Sequence, residues 1–556
     1  MKSTTTILQH VIIAFGVLTS VELFAQSDEV ILRAMQDELK RNMDIRETGY
    51  DKPFFISYGL TDVNSYSVYA SLGAIVQAEE SNNRGKAMRV LVGDYGFNDE
   101  SLDNDTDSET SGAEIQLPSD DDYAGIRRAY WTTTDAIYRG AAQKFRKHQQ
   151  TLKEQHKKIE DVPHRIFAHA PVVKVVAPWE EYAIAKTDIE QYCRRVSAVF
   201  KDYPGMESSD VVVNVLQGRD YFINSEGSVV VRPYRLAMLQ CRAELKTSHG
   251  EPLTESIVHY AELPSEFPKA DSMVAQVQAM IAKLQAVAES TAMEEEYSGP
   301  VLFVGSAVAS TLTSTLFSYR ETLVASNDIP STTDQRPENT SLLDTRIGKL
   351  IMDNSITVKA KPKQKKFGNV ILLGAYDVDE EGVVPADELI LVDKGILKNQ
   401  LNDRSLARDG QQANGHAGGP AVIDVSSSKG TTEKALKQSL IKLATDEGLP
   451  YAIIVRESGD VRGSMAEVWK VDLTTGAETL LRPAQVRRLS LKDLKKVTGI
   501  SSAQQAYNVP AGEGSLTSII CPSALLLERI DVVPLRLPYE KEDVEYVTSP
   551  LAKGKK

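Results

Sequence analysis

Several segments of the chain repeat apolar residues every three to four positions, which places those residues on one face of an α-helix. This spacing predicts helices over Ser27–Met43, Ile126–Ile159, Glu181–Phe200, Ala270–Ser290 and Thr432–Glu447. The second segment is long and basic, and the buried stripe expected along it consists of Trp131, Ala136, Ile137, Ala141 and Phe145. A further strand and helix are expected over residues 300–322.

Other segments are short and rich in β-branched and aromatic residues, which is typical of strands. In the N-terminal half the predicted strands are Phe54–Tyr58, Ser67–Gln77, Lys86–Val92, Asp210–Leu216, Met238–Leu245 and two strands around a turn at Asn224–Gly227. Beyond Tyr297 the predicted strands include Val370–Leu373, Glu388–Val392, Tyr451–Arg456, Ala466–Asp472 and Leu525–Val533. This order predicts an α+β fold, with an N-terminal α+β domain followed by a large antiparallel β-rich C-terminal domain that is sandwich- or barrel-like.

A chain of 556 residues is too long for one compact core. We predict a signal peptide at residues 1–25, an N-terminal and central α+β region at 26–296, a β-rich C-terminal domain at 297–548 and a basic tail at 549–556. The N-terminal region includes an acidic loop, residues 98–122, which holds ten Asp and Glu residues.

The first residues of the chain predict export. Lys2 precedes the short apolar run Val11–Leu18, and Ala25 offers a cleavage site before Gln26. The alternative is a frayed or packed N-terminal helix. No later stretch approaches the roughly 20 apolar residues of a membrane-spanning helix, so we expect no membrane span and a periplasmic or extracellular location.

Charge and cysteine usage exclude some classes of function. The net charge of -14, from 63 basic and 77 acidic side chains, argues against nucleic-acid binding, which needs a concentrated excess of Lys and Arg. The cysteines Cys193, Cys241 and Cys521 are odd in number and far apart. We therefore expect buried thiols and no disulfide framework.

Candidate catalytic and metal-binding residues are few. None of the eight histidines belongs to an H-E-x-x-H motif, whose one-turn spacing lets two imidazoles share a zinc ion. His148 lies on the basic helix and is expected to be solvated. Asp103–Glu114 matches several EF-hand ligand positions, but Ser108 stands where the glycine is needed, which favours a solvated acidic insertion over a Ca²⁺ site. No G-x-S-x-G elbow or P-loop is present.

Several short motifs occur in a fixed order along the second half of the chain. They are Tyr297-Ser-Gly-Pro-Val-Leu-Phe303, Asp377-Val-Asp-Glu-Glu-Gly382, Asp393-Lys-Gly-Ile-Leu-Lys398 and Gly415-His-Ala-Gly-Gly419. Together they resemble the TldD/PmbA family of metallopeptidase-like proteins, and Asn224-Ser-Glu-Gly227 is similar to the family's N-S-x-G element. In proteolytic members the helix after the first motif carries a zinc-binding H-E-x-x-x-H, whereas residues 305–322 of this chain contain no histidine.

The resemblance implies a dimeric scaffold whose catalytic members cleave unstructured peptides. For this chain it implies a zinc-free, non-catalytic subunit, with no catalytic or metal-ligating residue, no cofactor of its own and zinc only through a partner. The expected partners are a peptide substrate and either a second copy or a HExxxH-bearing TldD-like chain. The candidate peptide- or ligand-binding residues are Asn414, Gly415, His416, Gly418 and Gly419, because glycine lets the backbone approach a ligand closely.

Two alternative functions stay open. One is a self-sufficient metallopeptidase whose ligands come from distant residues such as His416, His249 and carboxylates. The other is a secreted binding or structural module on the same fold, without enzymatic activity.

Overall fold

A computed structural model describes residues 28–102, 116–179, 181–247, 252–293, 295–317, 321–326, 341–407, 411–458, 466–482, 484–510 and 516–534. The proposed signal peptide, the EF-hand-like part of the acidic loop and the basic tail lie outside these residues.

Helices occur where the apolar spacing predicted them. They are α1 (28–42), α2 (Tyr123–Glu154), α3 (Lys186–Ser197), α4 (Ala270–Glu289), α5 (Ser306–Leu316) and α6 (Glu433–Asp446). Capping residues set two of the starting points: the side chains of Asp122 and Thr432 accept hydrogen bonds from the backbone N–H groups of Gly125 and Ala435. No helix within the described ranges is long and apolar enough to cross a bilayer.

The strands are more numerous than the hydrophobic pattern predicted. Those before α5 are β1 (Pro53–Ser71), β2 (Ala74–Val92), β3 (Ile166–Phe167), β4 (Lys174–Val176), β5 (Ser208–Asn224), β6 (Val229–Lys246), β7 (Pro252–Ala261) and β8 (Tyr297–Val304). Those between α5 and α6 are β9 (Ile356–Ala360), β10 (Lys366–Phe367), β11 (Val370–Ile371), β12 (Leu389–Asp393), β13 (Ile396–Leu397), β14 (Ser405–Leu406) and β15 (Val422–Ser427). Those after α6 are β16 (Ala452–Ser458), β17 (Ala466–Val471), β18 (Glu478–Leu480), β19 (Ala484–Val486), β20 (Val497–Ile500), β21 (Gln504–Pro510), β22 (Leu516–Pro522) and β23 (Ala524–Pro534).

The N-terminal half is built on a six-stranded sheet in the order β2-β1-β5-β6-β4, with β7 also paired to β6. The prediction of two separate strands, Phe54–Tyr58 and Ser67–Gln77, was wrong. Strand β1 runs unbroken and pairs with β2 along almost its whole length. The polar residues Thr61, Asp62 and Asn64, which interrupt the hydrophobic pattern, lie within this strand. The turn at Asn224–Gly227 is confirmed, and Gly227 takes a φ of 104° there.

Helix α2 packs against this sheet through aromatic side chains, and Tyr130 stacks on Tyr58 with ring centroids 4.4 Å apart. The predicted buried stripe was only partly right. Ala141 and Phe145 are buried, whereas Trp131 is 47 % exposed and lies beside Arg41. Its ring faces outward because the buried face of α2 is rotated towards Tyr130, Thr134 and Tyr138. Helices α3 and α4 cover another part of the sheet in a separate apolar cluster.

The C-terminal half places α5 in an apolar core shared by two sheets. One has the order β13-β12-β9-β15-β22-β21, and the other has the order β18-β17-β16-β8-β23-β19 with β20 on β23. Helix α6 packs in a second cluster against the latter sheet. The α+β fold is confirmed, but the sheets are mixed, because β15 pairs with β22 and β16 with β8 in parallel. Strands that pair in parallel lie far apart in the sequence, so no hairpin turn between them predicts the pairing.

The three cysteines are free and buried, as expected. Cys193 on α3 and Cys241 on β6 lie in the apolar cluster between α3, α4 and the N-terminal sheet, and Cys521 lies in the core around α5. Burial raises the pKa of the Cys521 thiol to about 12, so the thiol is protonated at neutral pH and is a poor nucleophile or metal ligand.

A buried ion pair joins the two halves of the chain. Arg404 is 0 % exposed and donates to both carboxylate oxygens of Glu226 at 2.7 Å, while its Nε donates to the carbonyl of Ala168 at 2.8 Å. Strand β14, which begins directly after Arg404, pairs with β3 from the N-terminal half. The position of one half relative to the other therefore depends on a charge that water does not reach.

Replacing Glu226 with Gln is expected to destabilise the protein by about 3–5 kcal/mol, because the buried guanidinium of Arg404 loses its counter-ion. Urea denaturation measures the change in the free energy of unfolding. Arg529→Gln is the matched control, since Arg529 forms a 2.8 Å pair with Glu447 but is 57 % exposed. The control should cost less than about 1 kcal/mol, and an equal effect of both variants would contradict the role given to Glu226.

Candidate functional site

A cleft lies between the N-terminal sheet and two loops of the C-terminal half. It consists of two adjoining cavities of about 760 and 870 Å³. The lining residues that they share are Thr61, Asp220, Arg232, Asp379, Glu380 and Ala417. We call the sheet side of this cleft the floor and the loop side, residues 374–385 and 415–421, the wall.

The floor is one face of four neighbouring strands. Gly85, Thr61, Asp220 and Arg232 form a continuous row across β2, β1, β5 and β6, because each is the register partner of the next. Side chains alternate between the two faces of a strand, so the small or polar residues at alternate positions share the cleft face while Tyr58 and Tyr66 face the helices. The floor is therefore open and polar on one side of a well-packed sheet.

Gly218 allows β1 and β5 to approach closely at this floor. A Cβ atom at this position would overlap the carbonyl oxygen of Asp62 on the neighbouring strand. Glycine in the interior of a strand usually marks such a close backbone approach.

Asp379 holds the wall together. Its Oδ1 accepts hydrogen bonds from the backbone N–H groups of Glu381 at 3.0 Å and Val383 at 2.7 Å, and its Oδ2 accepts one from Ala417 at 3.0 Å. Burial raises the pKa of this carboxyl to about 7, in opposition to the N–H groups of Val383 and Ala417, which lower it. The side chain therefore fastens one wall loop to the other.

Charged side chains connect the wall to the floor. Glu381 accepts from Arg89 at 2.6 Å and from the backbone N–H of Arg404 at 2.7 Å. Burial disfavours the charge on Arg89, but its carboxylate partners Glu100 and Glu381 outweigh this and raise its pKa. Arg232, in the floor, donates to the carbonyl of Val378 at 2.8 Å.

The predicted site residues Asn414, Gly415 and His416 lie behind the wall surface. Asn414 accepts from the N–H of Asn402 at 2.9 Å and donates to the carbonyl of Gln400 at 2.8 Å, so its side chain fixes the loop. Gly415, with φ 78°, packs against Pro385. Ligand binding by these three residues stays a prediction.

His416 is buried in this loop with one ring nitrogen unpartnered. It is 3 % exposed, and its Nδ1 lies 3.0 Å from the carbonyl oxygen of Asn414. Its Nε2 has no hydrogen-bond partner in the described part of the chain. Burial lowers the pKa of His416 to about 4, so the ring is neutral at pH 7 with Nδ1 as the donor.

Gly418 and Gly419 line the larger cavity. Gly418 has a φ of 89°, and a Cβ atom there would overlap the carboxylate of Glu380. The absence of a side chain thus lets Glu380 lie across the wall beside the opening. Gly418 was a predicted site residue. Glu380 belongs to the Asp377–Gly382 motif, and the sequence analysis gave it no role.

Sequence reasoning missed the floor residues Thr61, Asp220 and Arg232. A signal was present in Ser57, Gly59, Thr61, Val63 and Ser65, which alternate with larger residues and indicate a strand with one face of small side chains. The pairing of β1 with β5 was not deducible, because β5 lies about 150 residues away in the sequence.

Zinc does not fit the residues of α5. The helix follows β8, where the resemblance places zinc ligands in proteolytic members, but it offers only Ser, Thr, Ala, Val and Leu side chains. Zinc sites in proteins use Cys, His, Asp and Glu. Across the described ranges, no group of three or more such residues is placed to hold a metal ion. His249, a ligand in the alternative metal site, lies outside those ranges.

His148 was predicted to be solvated, and this was wrong. It is 6 % exposed, its ring lies against Phe97, and its Nδ1 is 3.5 Å from the carbonyl oxygen of Asn98. Residues 98–101, at the start of the predicted acidic loop, form a buried turn under α2, and this turn covers the imidazole.

Comparison with known proteins finds a family match for part of the C-terminal half. Residues 296–482 match the family model of the PmbA/TldA metallopeptidase C-terminal domain. This segment of the chain is therefore similar to the C-terminal domain of PmbA/TldA metallopeptidases. No curated protein sequence matches it.

Solved structures extend the likeness of fold to most of the chain. TldE from Thermococcus kodakarensis is 11 % identical with a TM-score of 0.53 and covers 90 % of this chain and 100 % of its own. A proposed modulator of DNA gyrase from Thermotoga maritima is 12 % identical with a TM-score of 0.55, covering 86 % and 96 %. A second such proposed modulator, from Bacteroides thetaiotaomicron, is 11 % identical with a TM-score of 0.57, covering 91 % and 99 %. At these identities the structures show a shared fold.

His416 predicts a pH dependence of stability. Its pKa is lowered from 6.5 to about 4 by burial, so between these values the unfolded chain binds a proton that the folded chain does not. The stability contributed by the neutral ring is therefore present above pH 6.5 and is lost, by up to about 3 kcal/mol, as the pH falls towards 4.

Urea denaturation of the wild type and His416→Gln over this pH range measures the effect. Glutamine does not titrate, so the difference in free energy of unfolding between the two proteins should shrink as the pH falls. Two curves that stay parallel would mean that the buried imidazole does not resist protonation.

Proposed function

We propose that this chain is an exported, zinc-free subunit of a peptidase assembly that acts on unstructured peptides. The chain supplies the cleft that receives the peptide. A HExxxH-bearing TldD-like partner supplies the zinc ion and the general base. The observation that carries the proposal is the combination of an open polar cleft with a family helix that lacks every zinc ligand.

The cleft supports the first part of this proposal. Its cavities, about 760 and 870 Å³, lie within the usual range for ligand-binding clefts. Gly85, which has no side chain, and the small Thr61 leave room on the floor for a main chain, and the polar groups around them can hydrogen-bond to peptide units. An extended peptide without structure of its own is the ligand that such a surface suits.

The chemistry of α5 supports the second part. Its serine and threonine hydroxyls bond within the helix, as Ser310 does to the carbonyl of Ser306 and Thr315 to that of Thr311. Hydroxyls used in this way do not activate a water molecule for hydrolysis. The cleavage chemistry is therefore assigned to a partner chain.

Co-expression tests the proposal. The chain, with its export signal in place, is produced together with a HExxxH-bearing relative encoded near it, and the two are purified through a tag on this chain. We expect both chains to co-purify, zinc to be found in the complex and not in this chain alone, and an unstructured peptide to be cleaved faster by the pair than by either chain.

The alternatives give different results in the same experiment. Failure to co-purify, with no change in peptide hydrolysis, would discard the proposal. Tightly held zinc and hydrolysis in the isolated chain would establish the self-sufficient metallopeptidase. A stable homodimer that binds peptide and hydrolyses nothing in any pairing would establish the binding module.

A further inference from the structure

The larger cavity of the cleft contains carboxylates that the protein leaves without a counter-ion. Glu380 is exposed and lines both cavities, and within the described ranges it makes neither an ion pair nor a hydrogen bond. Glu262, on the opposite side, lines the larger cavity and its carboxylate likewise lacks a partner there. Most charged groups around the cleft are paired, which makes these two stand out as available to a ligand.

The cations of the same cavity are already engaged. Arg232 lies 3.6 Å from Asp220 and donates to the carbonyl of Val378. Arg235 lies over the ring of Trp179, 5.4 Å from its centroid, and has further partners. The charge left over in the cavity is therefore negative, and a cationic group is the complementary ligand.

A separate observation indicates that the cavity is built to receive a hydrogen-bonding ligand. Thr517 on β22 is 1 % exposed and lines the larger cavity, yet its hydroxyl has no hydrogen-bond partner in the described part of the chain. A buried hydroxyl without a partner is costly, so native proteins rarely leave one unsatisfied. A peptide unit held in the cavity would supply the missing partner.

We propose that the cleft selects peptide segments that carry lysine or arginine, with Glu380 binding the side-chain cation and the Thr517 hydroxyl bonding to the peptide main chain. This rests on the proposed function, because it assumes that the cleft binds extended peptide. Glu380 has no partner to give up on binding, so the ion pair gains attraction without breaking one inside the protein. Gly418 contributes by leaving the space in which the Glu380 side chain lies.

Fluorescence anisotropy of labelled peptides with the purified chain tests the inference. The two probes are flexible Gly/Ser-rich peptides of equal length, one with lysines and one with glutamines at the same positions. We expect the lysine peptide to bind more tightly, and added salt to reduce the difference. Glu380→Gln should weaken binding of the lysine peptide about fivefold and leave the glutamine peptide unchanged.

Two further variants distinguish the effect of Glu380 on binding from the effects of the overall charge of the protein and of the Thr517 hydroxyl. Asp387→Asn is the charge-matched control, since Asp387 is 90 % exposed, pairs with Lys363 and does not line the cleft. It should leave both affinities unchanged, which excludes attraction by the overall charge of -14. Thr517→Val keeps the shape of the side chain and should weaken both peptides by the same factor, without loss of thermal stability.

The outcomes distinguish the inference from the function on which it rests. If neither peptide binds, the proposal that the cleft binds peptide is wrong, and the inference about cation selection is wrong as well. If both peptides bind equally and Glu380→Gln behaves like Asp387→Asn, the cleft binds peptide but does not select cations. If Glu380→Gln unfolds at the same temperature as the wild type, a loss of peptide affinity is not caused by a loss of folding.

Discussion

The arrangement of this molecule depends on the buried guanidinium of Arg404. Glu226 satisfies it from both carboxylate oxygens, and the rings of Phe55 and Phe167 lie 5.0 and 4.2 Å from its centre. A charge without access to water is tolerated only when its hydrogen-bond partners are all in place. These partners come from the N-terminal half and Arg404 comes from the C-terminal half. The guanidinium therefore keeps its partners only when the two halves pack together in this orientation.

The cleft is a consequence of that docking. The N–H of Arg404 bonds to Glu381, and Glu381 bonds in turn to Arg89 on β2, so the wall loop is connected to the floor close to the buried pair. Asp379 then fixes the second wall loop through Ala417. The structure thus holds both sides of a polar cavity at a defined separation without filling it, which is the arrangement expected of a binding site whose geometry exists before the ligand arrives.

Local physical chemistry made the helices, the Asn224–Gly227 turn, the buried cysteines and the fold class predictable from sequence. The orientation of α2 was less predictable, because Trp131 is as apolar as the tyrosines that occupy its buried face. The floor of the cleft was out of reach for a different reason. It depends on the register between β1 and β5, which lie far apart in the sequence, and strand pairing over such a separation is decided by the whole sheet.

The glycines at 415, 418 and 419, which the sequence predicted as ligand-binding residues, have a structural cause, whereas ligand binding by them stays a prediction. Each has a positive φ, and Gly418 also leaves space for Glu380. What the motif did not reveal is that the side chains of Asn414 and His416 bond within the loop, so that Gly418, Gly419 and the neighbouring Glu380 line the cleft instead.

The relation of this chain to metallopeptidases is best understood from α5. Its residues Ala307, Val308, Leu312 and Leu316 are buried in the core shared by two sheets, so the helix is needed for packing whether or not it holds a metal. Small hydroxyl and apolar residues suit that packing and offer no ligand for a zinc ion. A helix of small hydroxyl and apolar residues therefore keeps the cleft and the docking of the halves in place without offering a zinc ligand, and this is the reason why the function we propose places the zinc ion on a partner chain.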